Sequence, residues 1–237
     1  MKCIFVVPIQ KTAILLPLIM IGKQIKYLIA KEIKLELRNK YALGGILLYV
    51  ISTVFVSYLC FKRIVTPAMW NALFWVILLF ASINAVAKSF INETKGKLLY
   101  LYTLASPQAI ILSKIIYNSI LLLVLSILCL LVYSLFVGNI IQDTGLFLLT
   151  LALGSFGLSS LLTMVSAIAS KTGNNFTLMA ILSFPIIMPL LMVLIKLSKN
   201  ALDGLENWDV HYLSILLSIN VIIITLSYLL FRYLWRD

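Results

Sequence analysis

The chain has 237 residues, 62% hydrophobic and only 11% charged, against roughly 45–50% hydrophobic for a soluble domain. That composition excludes a water-soluble globular fold and places the chain in a membrane. A net charge of +11 would suit nucleic acid, but the basic residues gather in the connections between apolar runs, and none of them is interleaved with aromatics on a soluble segment; a nucleic-acid role is set aside.

Residues 1–22 are apolar but broken by Pro8, Lys11 and Pro17, with no small-residue cleavage pattern. They are read as an N-terminal extension of unassigned role, with Met20 as an alternative start. Residues 23–40, KQIKYLIAKEIKLELRNK, lack glycine and proline and read as an amphipathic helix. At about 100° per residue, Lys23, Tyr27, Lys31, Lys34 and Arg38 share one face, and Ile25, Leu28, Ile29, Ile33 and Leu35 share the other. The expectation is an interfacial helix lying on the membrane, basic face towards anionic lipid headgroups. Glu32 and Glu36, one turn apart, fall within the apolar stripe, where lipid disfavours a carboxylate. Either their side chains bend away to solvent, or this face docks on protein and pairs them with basic groups of a partner or of the chain's own cytoplasmic loop.

Six apolar runs follow, at about 41–61, 68–87, 109–137, 145–169, 176–197 and 211–232, each near the roughly 20 residues that cross a bilayer. They predict an all-α domain of six transmembrane helices over 41–232. Of the nineteen Lys and Arg residues, Lys62, Arg63, Lys196 and Lys199 fall on one side of such a bundle and fifteen on the other, which places both termini and the connection 88–108 in the cytoplasm. The third run is longer than a span needs, and Lys114 in its first turns is expected to snorkel to the interface. In the fourth run Ser155, Ser159, Thr163 and Ala167 recur every four residues, a strip of small side chains for close helix approach, with a substrate-facing strip as the alternative. In the fifth, Pro185 and Pro189 lie one turn apart and are expected to bend or break the helix, as a static kink or as a hinge. Cys3, Cys60 and Cys129 are widely separated, without metal-ligand spacing, and read as buried inert thiols.

Apart from Lys114 the spans carry almost no ionisable group, which argues against a proton- or ion-coupled carrier. There is no HExxH or GxSxG and only one histidine, which argues against an intramembrane hydrolase. There is no GxxxxGK[ST] motif, so an ATP-driven process requires a separate chain.

The connection 88–108 carries Glu93, Gly96, Leu98, Leu99, Tyr102, Leu104, Ser106 and Pro107, and leads into the span with Lys114. A short helix with leucines and tyrosines can seat in a partner's groove, Gly96 permits a tight bend before it, and Pro107 restricts the residue ahead. Displacing it would pull on the second and third spans. This order of acidic residue, glycine, leucines, Ser-Pro and lysine resembles the permeases of ABC-2 exporters, which implies a coupling element that touches an ATP-binding subunit. KEIKLELRNKYAL, with Glu32 and Arg38, resembles the amphipathic lead-in of the haem exporter protein B family, the CcmB permeases of cytochrome c maturation. SAIASKTGNNFTLMAILSFPIIMP resembles that family's inner loop and proline-paired fifth span, and the likeness covers about residues 25–235. Two departures stand out: Lys171 is the only basic residue of that loop, and AKSFINE is less acidic than the family's lead-in to the coupling segment.

The resemblance implies a permease without its own nucleotide site, homodimeric, in a bacterial inner membrane. Its partners would be an ATP-binding subunit, other membrane subunits of cytochrome c maturation and a periplasmic haem chaperone, with haem as substrate rather than tightly bound cofactor. Trp208 is explained by the interfacial aromatic belt alone, while His211 offers an imidazole that could ligate haem iron at the outer face. Two other readings stay open: a general ABC-2 exporter of lipid, drug or polysaccharide, and a membrane scaffold that does not transport.

Overall fold

The computed structural model describes residues 9–38, 40–61, 66–86, 105–171, 176–204 and 210–234. Among them are seven helices and no strand: α1 (Ile9–Arg38), α2 (Lys40–Phe61), α3 (Pro67–Val86), α4 (Pro107–Val137), α5 (Thr144–Lys171), α6 (Phe176–Asp203) and α7 (Val210–Leu234). Helices α2 to α7 are long and apolar enough to cross a bilayer. In hydrocarbon no water satisfies the backbone, so each apolar run closes its hydrogen bonds within itself.

Two boundaries differ from the sequence reading. The helix expected from Lys23 already begins at Ile9, continuing back through the segment read as a separate extension. Pro185 and Pro189, expected to bend or break the helix, lie inside an α6 that stays helical through both, so the helix is not broken there. Both prolines are on the exposed side of the helix, while Ser183, Ile187 and Leu190 opposite them are buried against the bundle. That packed face carries the helix past the two ladder bonds that proline removes. Of the thiols, Cys129 is buried as expected and Cys60 is exposed near the end of α2.

The central mast is α5, two-thirds buried where α2 is only 17% buried. Its glycines explain how neighbours come so close. A Cβ on Gly154 would meet Leu194 Cδ2 and Trp75 Cη2, each at 2.9 Å, and one on Gly157 would meet Asn220 Oδ1 and Leu190 Cδ1. Towards α4, Asn118 Nδ2 donates to Thr163 Oγ1 (2.8 Å), and Ser119 and Ser126 pair with Ser159 and Ser155 at 2.9 and 3.0 Å. The strip of small residues in the fourth span is therefore a helix-packing seam, polar and fully buried; its last member, Ala167, joins an apolar cluster with Ile110, Ile111, Ile115 and Phe231.

At the end of the bundle away from that cluster, Trp70, Phe74, Tyr133 and Phe147 bring three helices together with ring centroids 4.9–5.8 Å apart. Trp70 Nε1 donates to the Gly138 carbonyl (3.0 Å), and the Tyr133 hydroxyl donates to the Trp70 carbonyl (3.1 Å). Asp143 caps α5 by accepting from Leu146 N (3.0 Å), and its own N–H reaches the Ala201 carbonyl of α6 (2.9 Å). Asn71 Nδ2 donates to the Ile195 carbonyl (2.9 Å) and Trp75 Nε1 to Ser198 Oγ (2.8 Å), which fastens α3 to α6.

Candidate coupling site

Helix α4 starts at a well-formed cap. Ser106 has an extended backbone, Pro107 takes the first helical position where no N–H is needed, and Ser106 Oγ accepts from Ala109 N at 3.4 Å. The same Ser106 is held from α1: its N–H and its hydroxyl both donate to Gln24 Oε1, at 3.4 and 3.2 Å. Eight residues further along both helices, Lys114 Nζ donates to Glu32 Oε1 at 3.4 Å. Both contacts have a sequence separation of 82, so α1 and α4 run parallel and in register, advancing together by about 12 Å.

That register settles the carboxylate in the apolar stripe. α1 covers Lys114 to 1% exposure, with Glu32 at 16% and Lys31 Nζ 3.6 Å from the same carboxylate oxygen. Leu28 of α1 packs beside the pair on the cluster of Ile110, Ile111, Ile115, Ala167 and Phe231. At 31 residues α4 is about 46 Å long, some 15 Å more than a hydrocarbon core, and α1 runs along its first turns. Lys23, Tyr27, Lys34 and Arg38 are exposed as the helical wheel predicts, but so are Ile33 and Leu35, because the buried side of α1 is centred nearer Glu32. Glu36 faces, with Tyr117, an apolar cleft between α1, α2 and α4.

Of the predicted coupling residues, Ser106, Pro107 and Lys114 thus lie together on the start of α4. Glu93, Gly96, Leu98, Leu99, Tyr102 and Leu104 lie outside the described residues, as does Trp208. His211 is exposed on the first turn of α7, its ring 6.3 Å from that of Tyr212. It sits about 30 Å along the helix from Phe231, which packs against the start of α4; the two candidate regions occupy opposite ends of the bundle. Among the described residues no group of three His, Cys, Asp or Glu could hold a metal ion. Sequence reasoning missed Gln24, Tyr117 and Asn118. Two anomalies carried a signal: an acid in an apolar stripe and a lysine in an apolar run each need the other.

A family model described as CcmB protein matches residues 23–232. The chain belongs to the CcmB family. CcmB proteins are membrane permease components of the ABC-type haem exporter in c-type cytochrome biogenesis, and the chain is accordingly a multi-pass membrane permease subunit rather than an enzyme. No curated protein and no solved structure matches it. The matched span opens at Lys23, one residue before Gln24, so the part of α1 that grips α4 belongs to the CcmB region.

Proposed function

We propose that this CcmB chain couples ATP hydrolysis by a separate ATP-binding subunit to haem export or to release of a haem-loaded chaperone, working in a bacterial inner membrane with both termini in the cytoplasm. The supporting observation is the double grip of α1 on the start of α4, through Gln24–Ser106 and Glu32–Lys114. The segment 88–104 feeds directly into Ser106, so a partner that displaced it would move the first turns of α4 and carry α1 along, an ordered rigid-body shift in place of a local bend. The excess of basic residues on one side favours the cytoplasmic placement of that segment.

An ABC assembly has two ATP-binding and two permease halves, so a homodimer of this chain is the proposed unit, alongside other cytochrome c maturation membrane subunits and a periplasmic haem chaperone. Replacing residues 93–106 with a Gly-Ser linker is expected to uncouple a co-purified ATP-binding subunit; unchanged turnover would refute the coupling role. Deleting the gene is expected to abolish holocytochrome c, and normal levels would refute the haem assignment. A haem contact at Trp208 and His211 is a separate proposal. Loss of holocytochrome c in His211→Ala with the ATP-binding subunit still bound supports it, and intact assembly excludes ligation by this chain.

A further inference from the structure

The cleft between α1, α2 and α4 has a shape and a polarity that the coupling role does not use. It is lined by Ile33 and Glu36 of α1, Leu47 of α2, and Tyr117, Val124 and Leu128 of α4, and encloses ≈ 280 Å³. That is near the lower edge of the roughly 300–1,000 Å³ of ligand pockets, which suits one extended chain better than a bulky planar ligand. Its apolar wall opens sideways, since Leu47, Ile120, Val124 and Leu128 are all exposed. Counting back about twenty residues from Val137, the end of α4, puts the hydrocarbon boundary at Asn118, beside Tyr117. From Tyr117 to Leu128 the helix then rises about 16 Å, half of a ~30 Å core and therefore the depth of one leaflet.

The cleft is polar only at its Tyr117 end. The Tyr117 hydroxyl is buried and has no hydrogen-bond partner among the described residues, a state that a buried polar group rarely keeps. Glu36 is the only charged residue lining the cleft among those described, while Lys34 and Arg38 of the same helix are exposed outside it. Glu36 places a carboxylate at the mouth for an ammonium, and the neighbouring Lys34 and Arg38 can donate to a phosphate, a pairing that fits a zwitterionic headgroup.

We propose that the cleft binds one phospholipid with a primary-ammonium headgroup, phosphatidylethanolamine in chemistry. Its acyl chain lies along α4, its ammonium donates to Glu36, and the Tyr117 hydroxyl donates to an ester or phosphate oxygen. This does not depend on the direction or cargo of transport.

The test uses the full-length chain in mixed micelles holding equal mole fractions of dioleoyl phosphatidylethanolamine, phosphatidylcholine and phosphatidylglycerol, with retained lipid read by native mass spectrometry. One phosphatidylethanolamine per chain is expected, preferred about tenfold over the other two. Glu36→Gln should lower its retention by about tenfold, the loss of one charge-assisted bond. Val124→Trp and Ile120→Trp, on exposed positions that tolerate size, should fill the cleft and remove the lipid, while Leu131→Trp, exposed on α4 outside the cleft, should not. Equal retention of the three headgroups, preference for phosphatidylglycerol, insensitivity to Glu36→Gln, or equal effects of the three tryptophans would each overturn the proposal.

Discussion

The ion pair between Glu32 and Lys114 predicts an asymmetry between its two halves. At 3.4 Å and an effective dielectric near 20, Coulomb attraction amounts to about 5 kcal/mol, which the desolvation of two ions largely offsets. The intact pair therefore contributes little net stability, and the consequence lies in how deeply buried a charge each deletion leaves behind. Glu32→Gln leaves an ammonium that is 1% exposed without its carboxylate, and is expected to cost about 3–4 kcal/mol. Lys114→Met leaves a carboxylate that is 16% exposed and 3.6 Å from Lys31 Nζ, and is expected to cost only about 1 kcal/mol. The double variant should return to within about 1 kcal/mol of the parent, giving a coupling energy near the upper end of the usual 0.5–3 kcal/mol. Unfolding free energies from SDS titration in mixed micelles measure all four corners of this cycle. Equal costs for the two single changes, or single costs that simply add in the double, would show that Lys114 is not held by Glu32 as described.

Other perturbations probe the seams. Gly157→Ala should cost about 2 kcal/mol in the same titration, because its Cβ would meet Asn220 and Leu190. Gly45→Ala on α2, where nothing lies within 4 Å, should instead gain about 0.5–1 kcal/mol. Thr163→Val removes the acceptor for Asn118 and should cost about 0.6 kcal/mol, the average for hydrogen bonds between membrane helices; a cost above about 2 kcal/mol would mean that this contact anchors more than the seam. Pro189→Ala should leave α6 intact and stability unchanged or slightly raised; if holocytochrome c nevertheless falls, the proline acts as a hinge.

The spans were legible because hydropathy over about twenty residues is a local property, and α2 to α7 begin and end close to the expected runs except that α6 continues six residues past 197 to Asp203. Partnership was not, since it depends on residues 29 to 127 positions apart. Thr163 and Ser159 could be placed on one face from their spacing, but their partners Asn118 and Ser119 belong to another helix whose rotation no periodicity fixes. The length of α4 showed only that some of it must leave the hydrocarbon; that α1 follows it there, in register, emerges from Gln24 and Glu32 together. At Pro185 and Pro189 the sequence shows the bonds that proline removes and not the packed face of Ser183, Ile187 and Leu190 that keeps α6 helical through both.

The bonds that fasten α3 to α6 also set a clock. Asn71 is 124 residues ahead of the Ile195 carbonyl it bonds, and Trp75 is 123 ahead of Ser198. At about 5–20 residues per second, a chain emerging from the ribosome makes α3 roughly 6–25 s before its partner exists. During that interval the Asn71 amide and the Trp75 indole N–H are without the partners they have in the finished bundle. Slowing translation across α4 and α5 therefore lengthens the exposure of α3 without altering a single contact of the finished bundle.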